Sequence, residues 1–323
     1  MATNENARLQ YEAGQTFYAM SELTAASDAL SYAGAAAPWS NRAGFAPNVM
    51  PNGLLSGGAV SVHATDNTVS IAAISANQAG AVIAVNAGTL VASRGTSGDT
   101  HRITSLTINN SGALAAVAGT ASTAFSETRG AAGGPPYIPV GSIEIGQVRL
   151  TSTTAAAVTA AEIFTVPNTH VERADTPIYE IDTLNGKVVM SAAVPKIHAG
   201  DLPKKVYASY ATPVFTDVPI ASDFVPPANS YSVSSQQYYG GTTASVSKTL
   251  QQGSFTALLN DGITDPLLAQ EGHELWFKFF QDRARSAYEI CQGKLGINRT
   301  FSVAGRPQAA CVIAASSVGS RVA

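Results

Sequence analysis

Charge is scarce in this chain. Only 13% of its 323 residues are Asp, Glu, Lys or Arg, about half of the roughly 25% usual for globular domains. Alanine, serine, threonine and glycine stand in their place. A surface so poor in charge suits a protein largely covered by neighbouring copies. Lysine is missing altogether before Lys187, so the first half uses arginine alone. The formal net charge of -3 and a pI near 5.9 provide no basic face, which argues against a binder that grips nucleic-acid phosphates.

Cysteine is almost absent. Cys291 and Cys311 are too few for a disulfide framework and read as buried free thiols. No apolar run approaches the ~20 residues of a membrane span, and "MATNENARLQYEAGQ" has no apolar leader core, so the chain is expected to stay in the compartment where it is made. The sequons at Asn109 and Asn298 carry little meaning without a secretory signal.

Catalytic and metal-binding signatures are missing too. "EGHELWF" has His273 and Glu274, but Phe277 stands where H-E-x-x-H needs its second histidine. His63, His101, His170 and His198 never fall at metal-ligand spacing. There is no G-x-S-x-G elbow and no phosphate-binding glycine loop. "RGAAGG" enters a Pro-Pro run instead of a helix N-terminus, which removes the anion-binding geometry. The reading is of no catalytic residues, no metal and no cofactor.

An apolar fraction of 45% supports a folded protein with room for two cores. Residues 1–52 read as an N-terminal arm, with at most one short helix around Ala25 to Tyr32 and then a Gly/Pro-rich path. Residues 53–165 give a run of short strands, "AVSVHA", "TVSIAAISA", "AVIAVNAG", "TLVASR" and "RITSLTINN", that indicates an additional all-β module, a sandwich or barrel. Near its end lies a glycine-proline knot, with Gly133 and Gly134 free to turn and Pro135, Pro136 and Pro139 fixing an extended path. The following strand loses its parity: Ile143 and Ile145 alternate correctly, yet Val148 and Leu150 fall on the other register. A bulge near Gly146 repairs it. The knot and Gly146 together read as a structural corner.

Residues 166–323 form the second module. Asn185-Gly186 marks a hairpin between "IYEID" and "KVVMS". Two longer strands follow, joined at Gly240-Gly241. One face of the second strand carries Thr243, Ser245, Ser247, Thr249 and Gln251, and Ser232, Ser234 and Gln236 supply matching groups on the first. This hydroxyl-and-amide face has no charge, although solvated strands normally carry Lys or Glu against aggregation. It reads as an ordinary solvated face, as the wall of an aqueous channel, or as a surface packed on an identical strand. "TDPLLAQEGHE" carries helix signals, with Thr264 or Asp265 as cap, Pro266 in the first turn and Gly272 as stop. In "ELWFKFFQD", Leu275, Phe277 and Phe279 alternate with Trp276, Lys278 and Phe280, so burial on both faces is expected, between the chain's own core and either a neighbouring copy or the short helix, with the second trio as a candidate subunit interface.

With these residues in hand, "SKTLQQGSFTALLNDGITDPLL", "LWFKFFQDRARSAYEICQGKLGI" and "AACVIAASS" resemble the tail tube, or major tail, proteins of long-tailed, non-contractile bacteriophages. The resemblance covers the last 120 or so residues best. It implies a mainly β protein with a tail-tube β-barrel over residues 166–323, one short helix and a long hairpin. It further implies hexameric rings, with the hairpins of six copies closing a barrel around a lumen, stacked into a tube that conducts the genome. The implied partners are further copies of the chain, the tape-measure, tail-terminator and tail-tip proteins, and double-stranded DNA that slides through without specific binding. The implied location is the virion tail, assembled in the host cytoplasm, with no membrane partner. In this reading the knot is a rigid link between modules, and the arm is ordered by a neighbouring ring. Lumens in this family are often acidic, whereas Tyr231 to Leu259 carries no carboxylate. The alternatives are a capsid decoration or adhesin-like virion protein, and an enzyme using carboxylates such as Asp261 and Glu271.

Overall fold

A computed structural model of the chain describes residues 6–164 and 178–322. His170 and the expected boundary at 165–166 lie outside them. The fold is mainly β, with no helix of seven residues or more among the described residues and no sheet closed into a barrel. Both expected helices are corrected. Ala25 and Tyr32 belong to the short paired strands Thr24–Ala25 and Ser31–Ala33. "TDPLLAQ" forms only the three-residue 3-10 turn Leu268–Gln270, because the Asp265 carboxylate accepts from both Asn260 N and Leu267 N and so ties its loop into a tight turn.

The chain divides into two units otherwise than the sequence suggests. One comprises Met1–Phe17, Pro38–Pro47 and Tyr210–Ala323, the other Tyr18–Ala37 and Asn48–Ser209. The expected arm is therefore shared between both. Strand Arg8–Glu22 shows why: Leu9 and Tyr11 alternate with Arg8, Gln10 and Glu12, a half-buried strand pattern. In the first unit this strand pairs with Glu274–Phe280, which continues through Tyr288–Thr300, Gln308–Ala314 and Gly253–Leu258 to an edge at Ala221–Val225. Leu9, Tyr11, Phe255, Leu275, Phe277, Leu295 and Ile313 pack into one core. Cys291 and Cys311 join it as free thiols, each pushed up to about 12 by burial.

The second unit is a set of small antiparallel sheets. The five strand-like runs of residues 59–110 all contain strands, and "TVSIAAISA" divides at Ala72-Ala73 into two strands that join different sheets. Between Asp182 and Lys187 the hairpin loop is four residues long, with Gly186 at φ +60 and Asn185 held by the Asp182 carboxylate.

Strand Ile143–Leu150 pairs with Arg102–Ile108, and the register slips at Ile145: Leu106 faces Gly146 while Thr107 faces Glu144. The slip lets Ile143, Val148 and Leu150 share the core with Ile145. Gly146 is not among the glycines with positive φ, so the bulge does not need a left-handed residue. The opposite face of the same pair is polar. Glu144, fully buried, accepts from Ser105 Oγ at 2.6 Å, Gln147 Nε2 at 3.2 Å and Arg129 Nη2 at 2.5 Å.

The glycine-proline knot explains that polar layer. It lies wholly inside the second unit, connecting Leu114–Ala118 to Ile143–Leu150, so it does not link two modules. A Cβ on Gly133 would stand 2.1 Å from Ala124 O, and one on Gly134 2.1 Å from Thr128 O. Only glycines allow the backbone to fold so tightly. With Pro135 and Pro136 buried, the loop brings Arg129 to Glu144 and Glu127 to Arg149 at 2.6 Å.

Beyond the knot, Ile138 forms a parallel bridge with His198. The imidazole is fully buried, and its Nδ1 donates to Pro139 O at 3.2 Å, leaving Nε2 a bare acceptor. Burial pushes the imidazole down to about 4 from 6.5, against the hydrogen bond to Pro139 and with help from the Arg129 and Lys205 charges. Between those two values the unfolded chain binds more protons than the folded one. Stability from this group is therefore intact above about pH 6.5 and falls as pH drops toward 4, by about 2.5 kcal/mol at pH 4.5. Urea unfolding at pH 7.5 and 4.5 should show a fall smaller by that amount in His198→Gln. Equal falls in both proteins would refute the assignment.

Candidate assembly surface

In the first unit, strands Ala228–Tyr238 and Gly241–Gln251 pair along their whole length, from Ala228 opposite Gln251 to Tyr238 opposite Gly241. The loop is thus Tyr239-Gly240, one residue earlier than the sequence reading, with Gly240 at φ +101. Every residue from Ser230 to Thr249 is exposed. The pair forms a sheet of two strands only, with both outer edges unpaired among the described residues.

Register sorts the side chains into two faces. Ser232 lies opposite Ser247, Ser234 opposite Ser245 and Gln236 opposite Thr243, and alternation adds Thr249 and Gln251 to the same side. Cross-strand hydroxyl pairs, Ser232–Ser247 at 2.5 Å and Ser234–Ser245 at 2.9 Å, tie this face together. The other face carries Tyr231, Val233, Ala244 and Val246, with Tyr231, Val233 and Val246 each about two-thirds exposed. Lys248 is the only charge between Ala228 and Gln251. A two-stranded hairpin is marginally stable alone in water, and long uncharged edges are templates for pairing with another chain. The hairpin has the physical character of half an interface.

Its root is firm. Pro226 and Pro227 lead into it, Pro227 O accepts from Gly319 N at 2.9 Å, and Gln252 Oε1 accepts from Ala315 N at 2.6 Å.

Trp276, Lys278 and Phe280 behave differently from the expectation of a subunit interface. The chain covers Trp276 itself: its Nε1 donates to Trp39 O at 2.8 Å, and Trp39 stacks on Tyr210. Beneath, buried Glu12 accepts from Ser40 Oγ at 2.5 Å, Gln15 Nε2 at 2.9 Å and Trp276 N at 3.1 Å. Phe280 packs against Tyr288 and under Arg8 and is 8% exposed. Lys278 sits 4.1 Å from the Phe215 ring centroid and 4.8 Å from that of Tyr288, and its ammonium is held below its ordinary value by burial. Trp39, on the Gly/Pro-rich path Pro38–Pro47, supplies the cover that the sequence reading assigned to a neighbour or to the helix. Sequence reasoning missed Glu12, Trp39 and Ser40; the one available signal was the period-2 pattern of residues 8–12.

Comparison of the chain with protein-family models, curated proteins and solved structures returned no match. The functional reading therefore rests on geometry. Among the described residues no group of three or more His, Cys, Asp or Glu side chains is placed to hold a metal, and no helix is long and apolar enough to cross a membrane. Asp261 accepts from Thr264 Oγ1 and Ile263 N, bonds that lower its carboxyl and bind it to its own loop, while Glu271 is exposed beside the 3-10 turn. A cleft of about 630 Å³ lies among Leu9, Asp217, Phe224, Phe279 and Arg283. Its carboxylates are engaged, Asp217 by Gln10 and Asp223 by Ser222.

Proposed function

We propose that the protein is a structural subunit that self-assembles through its projecting hairpin, in the manner of a phage tail tube. The observation that carries this is the hairpin itself: two eleven-residue strands exposed on both faces, nearly without charge, on a rigid root. Edge pairing with the hairpins of neighbouring copies satisfies its open backbone groups. In the ring so formed, Ser232, Ser234, Gln236, Thr243, Ser245, Ser247, Thr249 and Gln251 line the lumen. A wall of hydroxyls and amides gives DNA no fixed cations to hold it, so the genome slides. Six copies per ring, stacked as a tail, is the arrangement the resemblance implies.

Negative-stain microscopy of the concentrated protein at near-physiological salt tests this reading. Rings of uniform diameter or hollow tubes are expected. Persistent monomers would overturn self-assembly by the chain alone and favour a decoration protein carried by its other unit.

A further inference from the structure

The hairpin has distinct chemistry at its two ends. At the tip, Tyr238 is 59% exposed and Tyr239 is 108% exposed, so nothing in its own chain covers that ring. At the root, a shallow groove of about 430 Å³ runs between Asn229, Lys248 and Leu250 on one side and Ser316, Ser317 and Val318 on the other. We propose that this groove receives the tyrosine tip of a second copy of the chain. The proposal rests on the self-assembly reading and assigns one of its contacts.

Reach decides that the occupant is another molecule. Eleven residues at about 3.4 Å each set tip and root roughly 35 Å apart, and unbroken pairing keeps the hairpin from doubling back. Chemistry decides what the occupant is. Lys248 has no carboxylate within ion-pair distance among the described residues, and an ammonium without a counter-ion gains from an aromatic face. Leu250 and Val318 give the ring an apolar wall. Asn229, Ser316 and Ser317 give its hydroxyl polar neighbours, as a buried tyrosine requires. The chain presents such a ring, uncharged and uncovered, on the same element. The contact is heterologous: each copy keeps one free tip and one free groove, so it repeats along an axis and sets the spacing of the assembly.

Cross-linking tests the contact while keeping both tyrosines. In a Thr242→Cys/Ser317→Cys protein the first cysteine flanks the tip and the second lies in the groove, while native Cys291 and Cys311 are buried. Mild oxidation, which joins only cysteines whose Cβ atoms come within about 4 Å and so does not bridge the ~10 Å between equivalent positions of edge-paired hairpins, should give a disulfide-linked ladder of dimers, trimers and larger species from the assembled double variant, and none from either single variant. Adding Tyr238→Ser and Tyr239→Ser should weaken the ladder about tenfold, the scale of one lost cation–π contact. Assembled particles without a ladder, a ladder untouched by loss of the tyrosines, or dimers from Thr242→Cys alone would overturn the contact and leave self-assembly standing. Monomers throughout would overturn both.

Discussion

Replacing Asn229–Leu250 by Asn-Gly should abolish assembly and leave both units folded. Ala228 and Gln251 stand directly opposite each other, so a two-residue turn joins them without strain at the root. The excised residues pack chiefly on one another, and the segment Ser230–Thr249 is exposed throughout. Its removal should change stability by no more than about 0.5 kcal/mol, a shift in Tm of about 2 °C or less. Sedimentation and microscopy should then report monomers where the full chain forms rings or tubes. If the shortened chain still assembles, the hairpin is not the assembly element, and attention passes to the exposed Ile263, Phe301 and Val303 at another end of the same unit. A smaller perturbation separates edge pairing from general stickiness. Val233→Thr with Val246→Thr removes the exposed apolar groups but keeps the β-branched shape, the register and the uncharged edges, so sedimentation should still report rings or tubes if the edges pair, and monomers if the valines alone drive association.

What could be read from the sequence followed from how local each signal is. The parity break at Ile143–Leu150 is written within eight residues, and the register slip at Ile145 is its structural form. The hairpin faces follow from alternation alone, so the eight polar residues share a side once the turn is known to within one residue. The 3-10 turn was misread because Asp265 and Pro266 look like a helix start, while the second bond of Asp265, to Asn260 N, is invisible until the loop closes. The partition of residues 1–52 was hidden for a different reason. Trp39 is buried by Tyr210 and Trp276, which are far away in sequence. Gly/Pro-rich segments around a single tryptophan give no periodicity to read. The cover of Trp276 was expected from a neighbouring copy or from the helix, and the Trp39 segment that supplies it was not foreseen.

Glu144→Ala should be among the most destabilising single substitutions in the second unit. It removes the counter-ion of Arg129, whose side chain is only 14% exposed, and takes the acceptor from Ser105 Oγ and Gln147 Nε2. Breaking one side of a buried pair costs about 3–5 kcal/mol, because the remaining charge stays buried without compensation. At about 2–4 °C per kcal/mol for a unit of this size, a fall in Tm of about 10 °C is expected. The pair itself is another matter. Replacing both partners by apolar side chains, as in Arg129→Met/Glu144→Leu, should recover part of the loss, since burying two charges costs nearly what their attraction returns. Ser105 and Gln147 would still lack their acceptor, so recovery should be incomplete by about 1–3 kcal/mol. Equal losses in the single and double variants would mean that the glycine-proline loop depends on the shape of the carboxylate and its hydrogen bonds, with the charge of Arg129 immaterial. A neutral single variant would mean that Gly133, Gly134 and the two prolines hold the loop unaided.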